Sequence, residues 1–126
     1  MKELEQLAET VRTQLNLNYD ADSVKFLEGF IERNKANFEK EDAKGLINSL
    51  GAFLGQCIIE NYGGQWQPDT ETGSVAIAFD DKNKAFPFAK VSKQFENGLE
   101  DSIYSFYTII PTVFKLDKMK KPWWKF

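Results

Sequence analysis

Carboxylates are the only plentiful acid-base groups in this 126-residue chain, and Asp69, Glu71, Asp80, Asp81, Glu100 and Asp101 fall in or beside segments that read as turns. Two such groups hydrolyse a glycosidic bond when one carboxyl is held neutral and the pair stands about 5 to 9.5 Å apart. Spacing along the chain does not set that distance, and Asp also favours turns because its side chain bonds nearby backbone N–H groups. The competing account of these residues is therefore solvated turn and capping positions. Histidine is absent, so neither a Ser-His-Asp nor a Cys-His arrangement can be built. Cys57 stands alone on the apolar face of a helical segment with no basic neighbour along the chain, which suits a small buried hydrophobe better than a nucleophile. One cysteine and no histidine leave too few ligands for structural zinc. Asp80-Asp81-Lys82-Asn83-Lys84 departs from the EF-hand spacing and carries two lysines. Gly63-Gly64 lacks the Gly-Lys-Ser/Thr ending of a phosphate-cradling loop. No metal, cofactor or catalytic residue is assigned.

Charge is spread unevenly. The formal net charge is -3 at pH 7, yet residues 111 to 126 hold five lysines against Asp117, so the first 110 residues carry -7. An acidic body disfavours nucleic acid, whose binding depends on neutralising phosphates, and favours a partner protein with a basic surface. Hydrophobic residues at 42% and charged residues at 28% are ordinary for a folded domain, and the length suits one domain. We expect a single domain over 1–116 and a basic aromatic tail over 117–126. That tail, with Trp123, Trp124 and four lysines, suits single-stranded nucleic acid, anionic lipid or an acidic protein surface; alternatively the two rings fold back on the core or the tail frays. No signal peptide is evident at the start and no apolar run is long enough to span a bilayer, so a cytoplasmic location and no membrane span are expected. The oligomeric state is left open.

The elements that must position these groups follow from periodicity. Leu4, Leu7, Ala8, Val11 and Leu15 recur at helical spacing, as do Val24, Leu27, Phe30 and Ile31 after a cap at Asp20 or Asp22. A third, central helix starts near Glu41-Asp42 and carries Leu46, Ile47, Leu50, Phe53, Leu54, Cys57 and Ile58. Gly51 and Gly55, one turn apart, form a smooth stripe on it that admits a neighbour closely. Gly63-Gly64 ends this helix. Short strands follow at Gln65–Gln67, Val75–Phe79 and Lys84–Phe86, with Val75, Ile77 and Phe79 on one face of the second and Ala76 and Ala78 on the other. Pro87 opens a fourth helix with Phe88, Val91 and Phe95 inward, and a fifth runs from Glu100 or Asp101 to Pro111 with Ile103, Phe106, Tyr107 and Ile110 inward. Helices, then a three-stranded antiparallel meander, then two helices make an α+β domain.

The run Gly51-Ala52-Phe53-Leu54-Gly55, continuing into Tyr62-Gly63-Gly64-Gln65-Trp66, resembles small bacterial domains in which an apolar Gly-x-x-Leu-Gly helix leads into a Gly-Gly-x-Trp strand. Phe86-Pro87-Phe88 and the stretch from Asn97-Gly98 to Phe106-Tyr107 are similar to the second half of that pattern. The resemblance implies a fold and carries over no catalytic residues; some small acidic proteins of this kind are immunity proteins. The expected function is thus a non-enzymatic protein-binding domain, of the immunity or antitoxin kind. Asp80, Asp81, Glu100 and Asp101 would form its contact surface, with Trp66 or Tyr104 as aromatic anchors. The alternative is a carboxylate-dependent hydrolase acting on a glycan or similar neutral substrate.

Overall fold

The computed structural model describes residues 1–116; the expectations for the 117–126 tail lie outside them. Helices α1 (Lys2–Gln14), α2 (Ala21–Asn34) and α3 (Lys40–Tyr62) precede strands β1 (Gln65–Pro68), β2 (Val75–Ala78) and β3 (Lys84–Ala85), and α4 (Pro87–Asn97) and α5 (Ile103–Val113) follow. The strands form one antiparallel sheet in the order β1-β2-β3, with Trp66 opposite Ile77 and Ile77 opposite Ala85. This is the α+β layout that the pattern of the chain predicts.

Helix α3 is the axis. Every residue from Gly51 to Ile58 is buried, so this stretch has no solvent face and must be covered all round. It packs against α1, α2, α4 and α5. The two glycines admit aromatic rings from either side of the chain's β segment. A Cβ on Gly51 would overlap Phe88 of α4, and one on Gly55 would overlap the Trp66 indole from β1. Those two rings lie 5.6 Å apart, and the Trp66 indole N–H donates to Gln56 Oε1 at 3.3 Å. The stripe is thus filled by side chains that join sheet and α4 to the central helix.

Helix ends obey local chemistry. Asp20 Oδ1 accepts from the Ser23 N–H at 2.8 Å and caps α2. Past the end of α1, Asn16 adopts φ 54°, and the Leu17 N–H reaches the Arg12 carbonyl at 2.8 Å, which returns buried Leu17 to the core. The expected fifth helix differs at both ends. Residues Gly98–Asp101 form a 3₁₀ turn, and α5 begins after Ser102, whose hydroxyl accepts from the Ser105 N–H at 3.0 Å. Pro111 lies in the last turn and does not stop the helix, which closes through Leu116 N–H on the Pro111 carbonyl at 2.9 Å. The proline removes the one ladder bond its N–H would have made, and the turn continues past it through the Phe114 N–H on the Ile110 carbonyl at 3.0 Å. The third strand also ends a residue early, because Phe86 already leads into α4.

Among the described residues, one polar side chain sits wholly inside. Gln94 of α4 has no exposed surface. Its Nε2 donates to the Glu28 carbonyl at 3.1 Å and to Glu32 Oε2 at 2.9 Å, while its Oε1 accepts the Ile103 N–H at 2.9 Å. The Ile103 N–H is one of the donors that a helix start leaves without an internal partner. Gln94 therefore ties α2, α4 and α5 through one amide.

Two unfolding experiments check this packing. Gly55→Ala should destabilise by about 1–3 kcal/mol in urea titration, since the rigid indole must move, whereas Gly45→Ala, in open space, should stabilise by roughly 0.5–1 kcal/mol. Gln94→Leu should lower stability by about 1–3 kcal/mol by stranding the Ile103 N–H without a partner.

Candidate functional site

The six turn carboxylates meet different fates. Asp80 is spent on its own turn: Oδ1 accepts from the Lys82 and Asn83 N–H groups, both at 2.8 Å, and Oδ2 accepts from Asn83 Nδ2 at 2.9 Å. Those bonds hold its carboxyl below the usual range, the Asn83 side chain foremost. Asp69 is buried in the β1–β2 turn, where it accepts from the Thr72 hydroxyl at 2.7 Å and pairs with Lys84 at 3.2 Å. Its carboxyl is likewise held down, by Thr72 first and Lys84 next. Asp101 accepts from Asn97 Nδ2 at 2.6 Å, while Glu71, Asp81 and Glu100 stand exposed.

Neither expected aromatic anchor projects freely. Trp66 is half-buried with its indole committed to the Gly55 stripe, and the half-buried Tyr104 ring carries Lys25 Nζ 5.2 Å from its centroid. Acid-base chemistry finds no support in the displaced groups. Glu9, Glu32, Asp69 and Asp80 are all shifted down, Glu9 to about 2 by Arg12 and Tyr19, whereas a glycosidase acid must be raised. Burial pushes the Cys57 thiol up, away from the thiolate a nucleophile needs. Among the described residues, no three His, Cys, Asp or Glu side chains stand where they could hold a metal ion.

A different feature unites the surface. Between β3, α4 and α5 lies a largely apolar groove of about 230 Å³, walled by Ala85, Phe86, Phe106, Ile109, Val113 and Phe114, with the cations Lys84 and Lys90 also in its lining. Lys90 places its Nζ 5.3 Å from the centroid of the Phe106 ring. The groove runs on in both directions through shared walls. Lys90, Phe106 and Ile109 also line a depression that reaches Leu99, Glu100 and Asp101. Lys84, Phe86 and Phe114 also line another that reaches Glu71 and Asp81. Along this strip Leu99 is 60% exposed, Ile109 50% and Val113 58%. The two acidic pairs expected at the contact surface are therefore not one cluster; Asp81 and the Glu100-Asp101 pair stand at opposite ends of an apolar face.

That face is missed when only one side of α5 is read as inward. The signal is present in the chain: Ile103, Phe106, Tyr107, Ile109, Ile110 and Val113 occupy more of the helical wheel than one buried stripe needs. Compared with known proteins, the chain matches no family model, no curated protein and no solved structure.

The lowered carboxylates set the acid response. A depressed native pKa contributes stability that is present above the unfolded value near 4 and is lost as pH falls through the folded one. Asp69→Asn should thus be less stable than wild type at pH 7, and the difference should shrink by pH 3, as measured by urea unfolding at both pH values.

Proposed function

We propose that this chain is a non-enzymatic protein-binding domain that docks a partner on the outer face of α5, in the manner of an immunity or antitoxin-like inhibitor. The observation that carries the proposal is the exposure of Leu99, Ile109 and Val113 beside an apolar groove. Contiguous apolar surface of this kind on a folded domain marks interaction sites. Burying a side chain such as Ile109 or Val113 in a complex is worth about 1.5–3 kcal/mol. Asp81, Glu100 and Asp101 flank the strip, where charges steer encounter and fix register more than they add affinity. A partner with an apolar ridge between basic ends fits this arrangement. The -7 charge of the first 110 residues supports the same choice. Hydrolysis by a carboxylate pair is the weaker account, because the displaced carboxylates shift the wrong way for an acid.

A partner recovered from the native host with the wild-type chain provides the test, once its affinity is measured by calorimetry. Ile109→Asp should weaken binding by about 30-fold or more, matching roughly 2 kcal/mol for a central contact, and Asp81→Lys should chiefly slow association. Unchanged affinity in Ile109→Asp, with the fold intact by circular dichroism, rules out this face.

A further inference from the structure

We infer that the partner enters the α5 groove as an extended strand added to the outer edge of β3, with a carboxylate placed against Lys90. This rests on the docking role of the same face and specifies the form of its occupant. Pairing within the sheet leaves that edge open. The Phe79 N–H bonds to the Asn83 carbonyl at 2.9 Å, and Ala78 stands opposite Lys84 and Ile77 opposite Ala85. Opposed residues in an antiparallel pair alternate between those that exchange hydrogen bonds and those that do not. With Phe79 and Asn83 bonded, Lys84 and Ala78 form a pair of the second kind, so the Lys84 N–H and C=O are directed away from β2. The β1 side agrees. The Asp69 N–H bonds to the Ser74 carbonyl at 2.8 Å, and the same alternation along that register makes Ala78 a bonded partner of Gln65, turned from β3. Among the described residues, no backbone group pairs with the Lys84 N–H or C=O.

This edge borders the groove. Lys84, Ala85 and Phe86 form one wall, and the exposed Ile109 and Val113 of α5 belong to another. A helix laid between them satisfies its own backbone and covers the Lys84 N–H and C=O without bonding them, which strands two polar groups. An extended chain bonds both, and its alternate side chains reach the apolar residues of α5. Strand β3 has two residues, so the side chains in the groove must supply most of the affinity. The two lysines of the lining differ. Lys84 Nζ pairs with Asp69 at 3.2 Å, whereas Lys90 makes no ion pair among the described residues, although Glu100 and Asp101 share the neighbouring depression with it. An unpaired cation beside an apolar floor selects an acidic residue in the occupant, between the basic ends that Asp81 and the Glu100-Asp101 pair select.

Amide exchange of the full, isotopically labelled chain, followed by NMR, tests this with peptides selected on the chain from a random phage-displayed library. The Lys84 N–H should exchange freely in the chain alone and slow about tenfold or more at saturation with a selected peptide, while the Phe79 N–H, already bonded, should change little. The selected peptides should alternate apolar and polar residues and carry Asp or Glu, and Lys90→Ala should weaken them. Methylating the peptide amide that faces the Lys84 carbonyl should cost about tenfold in affinity, and methylating its neighbour much less. A Lys84 N–H that exchanges slowly before peptide is added overturns the inference, because the edge is then already covered. Slowing that appears only as protein concentration rises overturns it in favour of a second copy. Peptides with apolar residues at helical spacing that leave Lys84 exchange unchanged overturn it in favour of a helix, and a library that yields no binder to this face overturns it outright. None of these results alters the host partner's affinity for Ile109→Asp, so docking on α5 and the strand form of the occupant fail separately.

Discussion

The whole arrangement depends on the need to cover α3 on every side. Eight consecutive buried residues, Gly51 to Ile58, leave that helix without a solvent face, and a segment of this kind is stable only inside other elements. Four helices and the sheet are accordingly disposed around it. The glycines decide where the closest approaches occur. Trp66 and Phe88 lie over Gly55 and Gly51, so the β segment is fixed to α3 by rings and not by backbone pairing with it.

Polar groups answer a second requirement, that buried donors and acceptors find partners. Gln94 does this for the start of α5 and for a carbonyl of α2 at once, and no buried side-chain nitrogen or oxygen among the described residues lacks a partner. Glu28 joins the same region by accepting from the Ser102 hydroxyl. Helices α2, α4 and α5 are thereby set at fixed positions by hydrogen bonds as well as by apolar contact. Fixing α5 from one side leaves its other side outward. The apolar residues there, Ile109 and Val113, are not required by the core, whose needs Ile103, Tyr107 and Ile110 already meet. An apolar surplus held at the surface is the physical basis of the docking role proposed for this face.

What the chain determined by itself is its local organisation. Periodicity located the helices and strands, because burial of one face imposes a repeat that is visible in any window. A cap at Asp20 or Asp22, a stop at Gly63-Gly64 and the Gly51/Gly55 stripe were legible for the same reason, each acting through neighbours a few residues away, and the structure selects Asp20 as the cap and Gly63 as the stop. The buried role of Gln94 was not legible, since its partners Glu28, Glu32 and Ile103 are brought to it by three separate helices. The same limit applies to the surface. That Asp80 closes a turn is local chemistry, but that Asp81 and Glu100 mark two ends of one apolar strip depends on how α5 rotates against β3 and α4. Sequence specifies which residues are apolar or charged; only the packing around α3 decides which of the apolar ones are left facing water.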